Sequence, residues 1–271
     1  NYCFTSCTFN GTLTLGNGLQ TIGESAFGGN QSLVGDLTIP VTVTSLGASA
    51  FSGNVGFNRH LTIDSGINIP FACFYDCRNF SKLTIAEGVN IIGESAFENL
   101  SSITGNLKLP NSITSIGARA FFGCSKIDGY LSLGPNITSI GDCAFVKSID
   151  SEEIIQEKEK LSTDPDMDYY DRIIYDDTYY SAIFSKIYIQ SSLPPTITIK
   201  SFGLKETTIS DKRFIKREIV ERQPGWSRKR QYDIYNAYRY RGSYPNHLIV
   251  PTGCTANYSD WEVDLIEEVD F

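Results

Sequence analysis

Ile22-Gly-Glu-Ser-Ala-Phe27 and Ile92-Gly-Glu-Ser-Ala-Phe97 are one hexapeptide, IGESAF, written twice 70 residues apart. Degenerate copies surround them: LGASAF ending at Phe51, IPFACF at Phe74, IGARAF at Phe121 and IGDCAF at Phe145. From Phe27 to Phe145 the phenylalanines step by 24, 23, 23, 24 and 24 residues. One more step back lands on Phe4, inside CFTSC, so a truncated repeat is expected to open the chain. A unit this short cannot bury its own apolar side, whereas stacked copies can, and that is the logic of a solenoid.

A second set of columns keeps the same beat. Nine to ten residues after each phenylalanine stands an alternating apolar pair: Leu13/Leu15, Leu37/Ile39, Leu61/Ile63, Leu83/Ile85, Leu107/Leu109 and Leu131/Leu133. Alternation with period two reads as a strand with one buried face. The intervening Thr14, Thr38, Thr62, Thr84, Lys108 and Ser132 are expected to form an exposed polar ladder. A second strand-prone run precedes most hexapeptides, as in VTVTSLG and NSITSIG, and Pro40, Pro110, Pro135, Gly16 and Gly66 mark the corners. Phe27, Phe51, Phe74, Phe97, Phe121 and Phe145 are expected to fill the coil centres as one structural core column. The Gly of each hexapeptide is read as a tight-turn residue and the Ala as permitting close approach of coils. In the third repeat Pro70 replaces that Gly, which predicts a local distortion.

Composition bounds the function. The chain has 271 residues, 41% apolar and 20% charged, with a net charge of -8. That balance argues against nucleic acid or an anionic membrane as partner of the whole chain. No apolar run is long enough to span a membrane, and the opening NYCFTSCTFNG does not read as a signal peptide. The seven cysteines are an odd number, a poor fit to full disulfide pairing. Cys7, Cys77 and Cys124 fall three residues after a phenylalanine, in a column shared with Asn30 and Asn54, and Cys3 and Cys73 take the alanine position. They read as free, buried structural thiols. His60 and His247, the two histidines, stand far apart, so no histidine-based catalytic or zinc site is expected. DPDMDYYD (164–171) begins like a calcium loop, but Tyr169 and Tyr175 occupy the positions that need Gly and Glu. No catalytic residue, metal or cofactor is expected. Six Asn-x-Ser/Thr triplets, among them Asn30 in an inward column, read as by-products of the repeat composition.

The recurring L-x-L-P-x-x-(V/I)-T-x-I-G-x-x-A-F-x-x-(C/N)-x-x-L resembles the BspA-like, Treponema pallidum-type leucine-rich repeats. The resemblance covers residues 1–149, resumes at Ile187-Tyr-Ile189 through SSLPPTITIKSF, and ends in LIVPTGCTANYSDW, which looks like the family's C-terminal cap. It implies a mainly-β, right-handed leucine-rich-repeat solenoid of 23–24-residue coils with a C-terminal cap and two non-repeat insertions. It also implies a cell-surface or secreted protein of mucosal or gut bacteria that captures a partner.

Two segments break the beat. Residues 150–177 hold eleven acidic side chains against Lys158, Lys160 and Arg172, a net of -8. Residues 200–241 hold twelve Lys/Arg against five Asp/Glu, a net of +7. The domain reading is therefore repeats over 1–149, an acidic Tyr-rich insertion over 150–180, and a C-terminal repeat and cap over 181–271 carrying a basic aromatic insertion at 204–246. Within the latter, Trp226, Arg228, Tyr232, Tyr235, Tyr238, Arg239 and Tyr240 interleave rings and cations, the chemistry of an interface anchor or a sugar-stacking platform. The same tyrosines would equally serve to cover the open end of a solenoid.

Three functions compete on this reading. The first is a non-catalytic binding scaffold recognising a protein or glycan, with the Trp226–Tyr240 residues as ligand contacts. The second is an architectural spacer within a longer surface protein. The third is a glycan-processing enzyme, disfavoured because no positioned base, nucleophile motif or Gly-rich loop accompanies the carboxylates.

Overall fold

A computed structural model describes residues 1–148, 180–182, 186–193, 195–197, 247–258 and 265–270. In chain order the strands are β1 (Thr21–Ile22), β2 (Gly35–Ile39), β3 (Ser45–Leu46), β4 (Phe57–Ile63), β5 (Lys82–Ile85), β6 (Ile91–Ile92), β7 (Leu107–Lys108) and β8 (Ser115–Ile116). They continue with β9 (Leu131–Leu133), β10 (Ser139–Ile140), β11 (Val146–Ser148), β12 (Tyr180–Ala182), β13 (Lys186–Ile189), β14 (Thr196–Ile197), β15 (His247–Pro251) and β16 (Leu265–Val269). Three coil-to-coil ladders join them, one for each side of the repeat.

The first ladder is built by the apolar-polar-apolar runs. Leu37, Leu61 and Leu83 are in register through β2, β4 and β5, and Leu131, Ile187, Leu248 and Ile266 through β9, β13, β15 and β16, all parallel. Alternation holds because the leucines and isoleucines of each run enter the core, while Thr38, Thr84 and Lys108 face water. The sheet is divided once: β5 ends a three-stranded group and β7 begins a five-stranded one.

The second ladder joins the short strands that precede each hexapeptide. β6, β8, β10 and β14 are parallel neighbours, and β1 pairs with β3. The break between these groups falls at Pro70. In other coils the hexapeptide Gly donates its N–H to the preceding coil, as Gly47 does to the Ile22 carbonyl at 2.8 Å and Gly117 to Ile92 at 2.7 Å. Proline has no N–H to give. The distortion expected there is confined to this ladder; the phenylalanine stack passes through undisturbed.

The third ladder runs through the hexapeptides. Ser95, Phe97 and Asn99 donate to the carbonyls of Ala118, Ala120 and Phe122 of the next coil, and each coil repeats the pattern. The residue two before each phenylalanine holds a left-handed backbone: Ser25, Ser49, Ala72, Ser95, Arg119 and Cys143 all have φ between 48° and 56°. The glycine of the hexapeptide does not have positive φ, contrary to the tight-turn reading. Its role is space. A Cβ on Gly117 would stand 2.4 Å from the Glu94 backbone nitrogen, and one on Gly141 2.4 Å from that of Ala118.

Phe4, Phe27, Phe51, Phe74, Phe97, Phe121 and Phe145 form a continuous stack with centroids 5.1 to 5.5 Å apart. From Phe51 onward the rings are fully buried; Phe27 is partly buried and Phe4 is 43% exposed. Beside the stack, Asn54 Nδ2 donates to the carbonyls of Phe27 and Phe51. Cys77 Sγ lies 3.0 Å from the Phe51 carbonyl and Cys124 Sγ 3.3 Å from that of Phe97, so thiols replace the amide at one acceptor. All seven cysteines are free, five buried; Cys3 is exposed and Cys7 half-buried because both lie in the first coil. Asn30 is fully buried, so its glycosylation triplet is unreachable.

β11 and β12 pair antiparallel on either side of residues 149–179. β13 then takes its place beside β9, and β15 beside β13, so the parallel ladder of the solenoid resumes after each insertion. After β15 a single 3-10 turn, Thr255–Tyr258, follows. The buried Tyr258 donates its hydroxyl to the carbonyls of Ser191 at 2.6 Å and Leu193 at 3.1 Å. Glu268 of β16 accepts from the Thr255 N–H at 2.8 Å and the Thr255 hydroxyl at 2.5 Å.

Candidate functional site

The sequence-predicted contacts Trp226, Arg228, Tyr232, Tyr235, Tyr238, Arg239 and Tyr240 lie outside the described residues, as does the whole acidic stretch 150–177. The polar ladder is described, and it carries more than hydroxyls. Each strand of the first ladder presents two outward positions, one before the first core residue and one after it. On β4 these are His60 and Thr62, on β5 Lys82 and Thr84. Around β7 they are Asn106 and Lys108, around β9 Tyr130 and Ser132, and on β13 the second position is Tyr188.

Local bonds order this face. His60 Nε2 meets Thr84 Oγ1 at 2.8 Å across one coil. The Tyr130 ring stands edge-on to Tyr188, centroids 4.9 Å apart and planes at 62°. Lys108 Nζ lies 5.8 Å from the Tyr130 centroid, within cation–π range. Tyr130 N–H donates to Asn106 Oδ1 at 3.0 Å, which fixes the backbone beneath its ring. Beyond β13 the face closes: Leu248, Ile249 and Val250 are three successive buried residues, so β15 is covered on both sides. The accessible stripe thus runs from β4 to β13 and ends in its two tyrosines.

Sequence reasoning placed the outward column at Thr14, Thr38, Thr62, Thr84, Lys108 and Ser132. Tyr130 was missed because it precedes its core pair, and Tyr188 because it takes the intervening position in a strand beyond the regular repeats. The signal was present in GYLSL (129–133) and KIYI (186–189), where a large ring stands at an outward position of a strand.

A second polar cluster sits on the hexapeptide side. Arg119 clasps the buried Glu98 through two hydrogen bonds, at 3.0 and 2.5 Å, and covers the Phe122 ring at 4.0 Å. It satisfies a buried carboxylate and is structural. The thiols offer no nucleophile: burial pushes Cys77 and Cys124 up to about 12 and raises Cys73 well above the usual value. Among the described residues no three His, Cys, Asp or Glu side chains gather as a metal requires.

The repeat signature of the BspA type leucine-rich repeat region matches this chain in six copies, over residues 1–127 and 104–170. The chain belongs to the BspA-type leucine-rich repeat family. Among solved structures it is similar to a leucine-rich repeat protein from Bacteroides ovatus ATCC 8483, with 22% identity, a TM-score of 0.46, and 54% of this chain and 36% of that one covered. It is also similar to the pneumococcal vaccine antigen PcpA, with 14% identity, a TM-score of 0.41, and 93% and 66% covered. The aligned part is thus about a third of the first structure and just under two thirds of the second. No curated protein is similar enough to count as a relative. No described helix of this BspA-type chain is long and apolar enough to cross a membrane.

Proposed function

We propose that this BspA-type chain is a non-catalytic scaffold, displayed at a cell surface or secreted, that holds a protein or glycan partner. The observation that carries the reading is the strand order β9–β13–β15. β11 and β12 close the first non-repeat segment as an antiparallel pair and the parallel ladder resumes after each segment, so both segments begin and end on a rigid support. Binding residues are commonly grafted onto scaffolds in this way. The Trp226–Tyr240 residues, with Tyr and Trp rings among arginines, are the contacts proposed for the second segment. The same arrangement supports the division into repeats over 1–149, an acidic segment over 150–180, and a C-terminal unit over 181–271.

The test is a glycan and matrix-protein array with the whole chain, followed by Trp226→Ala, Tyr235→Ala and Arg239→Ala combined. Binding should fall while the melting temperature holds. A ligand retained by a folded triple variant excludes these residues as its contacts. Hydrolysis of any array member would contradict the non-catalytic reading.

A further inference from the structure

The outward stripe of the first ladder combines rings, hydroxyls and cations on strands that hold no carboxylate. The chain carries 31 Asp and Glu against 23 Lys and Arg. Yet β4, β5, β7, β9 and β13 contain no Asp or Glu at all, whereas the flanking β2 has Asp36 and β16 has Glu267 and Glu268. Two nearby carboxylates are turned to backbone: Asp36 accepts from the His60 N–H at 3.0 Å and Asp128 from the Gly105 N–H at 2.9 Å. Asp64 lies one residue past β4, at the corner. What remains along the stripe is Arg59, His60, Lys82, Asn106, Lys108, the hydroxyls of Thr62, Thr84 and Ser132, and the Tyr130–Tyr188 pair.

From these observations we infer that the β4–β13 face binds a polysaccharide bearing uronic acids, laid along the solenoid axis. This inference rests on the reading of the chain as a binding scaffold, but it uses a surface separate from the Trp226–Tyr240 segment. Charge complementarity sets the sign of the ligand: in an acidic molecule, a carboxylate-free strip that carries Arg59, Lys82 and Lys108 attracts an anion and is approached along its own field. Sparse charge sets the kind of anion. Lys82 and Lys108 are single point charges, and Arg59 is the one exposed guanidinium on the described strip, so it lacks the paired forks that densely sulfated or phosphorylated ligands engage. Rings and hydroxyls set the rest. Tyr130 and Tyr188 offer apolar faces with polar tips, against which the C–H face of a pyranose packs, and threonine and serine hydroxyls match sugar hydroxyls as donors and acceptors.

Geometry separates a glycan from a peptide. The coils repeat every 5.1 to 5.5 Å along the axis, judged by the stacked rings. An extended peptide advances about 3.3 Å per residue and alternates its side chains with period two, so it drifts out of step with the coils. An equatorially linked pyranose chain advances close to one coil per sugar and places one equivalent ring over each coil.

The experiment uses the full chain and three probes: a β-1,4-linked oligomannuronate of about six units, equatorial at both linkage carbons, the neutral manno-oligosaccharide of the same linkage and length, and polyglutamate. Titration calorimetry at low and physiological salt should show the oligomannuronate binding most tightly and weakening with salt. Tyr130→Ala and Lys108→Ala should each weaken it about tenfold, with melting temperatures unchanged, whereas the Trp226/Tyr235/Arg239 triple variant should bind it as the parent does. Polyglutamate binding equally well would mean an acidic protein partner and overturn the glycan assignment. Loss of binding only in the Trp226 triple variant would move the site to that segment and overturn this inference while leaving the scaffold reading intact. No binding by any uronate probe would also overturn it, without bearing on the Trp226–Tyr240 contacts.

Discussion

At the scale of single residues, the hexapeptide divides its labour differently from what its letters propose. The glycine is needed for distance and the serine, alanine, arginine or cysteine two places before the phenylalanine carries the left-handed backbone. Non-glycine residues take that conformation at a cost of about 1–2 kcal/mol each, offset here by three coil-to-coil hydrogen bonds per turn. Gly117→Ala should therefore destabilise the fold by about 1–3 kcal/mol, the usual range for overpacking, measured by urea unfolding; a neutral effect would mean that the coils separate freely. The thiols give a second test. Labelling of native protein at mildly alkaline pH should reach Cys3 and Cys7 and spare Cys73, Cys77 and Cys124, and all seven should react once the chain is unfolded. Rapid native labelling of Cys77 would contradict its burial against the Phe51 carbonyl.

Among the elements, the strands of the first ladder were legible from residues such as Leu37, Leu61 and Leu107, because alternation with a fixed repeat specifies both face and register. The division between β5 and β7 was not legible: Leu83 and Leu107 keep the regular 24-residue step, and the one short step, 22 residues, lies a coil earlier between Leu61 and Leu83. Ile187-Tyr-Ile189 and LIVPTG were legible as the resumed repeat, and the structure adds that β13 pairs directly with β9 and β15 with β13. The stripe tyrosines escaped, since repeat columns draw the eye to what recurs and Tyr130 and Tyr188 are the exceptions. The last element makes its own prediction. Hydrogen bonds from the Thr255 hydroxyl, and from the Gly253, Thr255 and Cys254 backbone, lower Glu268 from 4.5 to about 2. A carboxyl depressed in the folded state stabilises it above pH 4.5 and loses that contribution as pH falls through about 2. Amide exchange in β16 should accelerate over that window more than in β9, and Thr255→Ala should move the onset to higher pH. Equal protection of the two strands at pH 2 would show that Glu268 does not anchor β16.

The molecule as a whole is a stack whose coils share one apolar spine. Each ring from Phe51 to Phe145 is buried between its neighbours, so no coil completes its core alone. Everything proposed about binding depends on this rigidity, because the outward stripe is held in place by the ladders that the spine supports. Phe97 stands near the middle of the stack, 5.5 Å from Phe74 and 5.1 Å from Phe121. The most direct measurement is the equilibrium unfolding of Phe97→Ala against the parent chain. A shared spine predicts a loss of about 3–5 kcal/mol, seen together in the signals of both halves of the solenoid; a loss below about 1 kcal/mol, or one confined to the coil of Phe97, would contradict it.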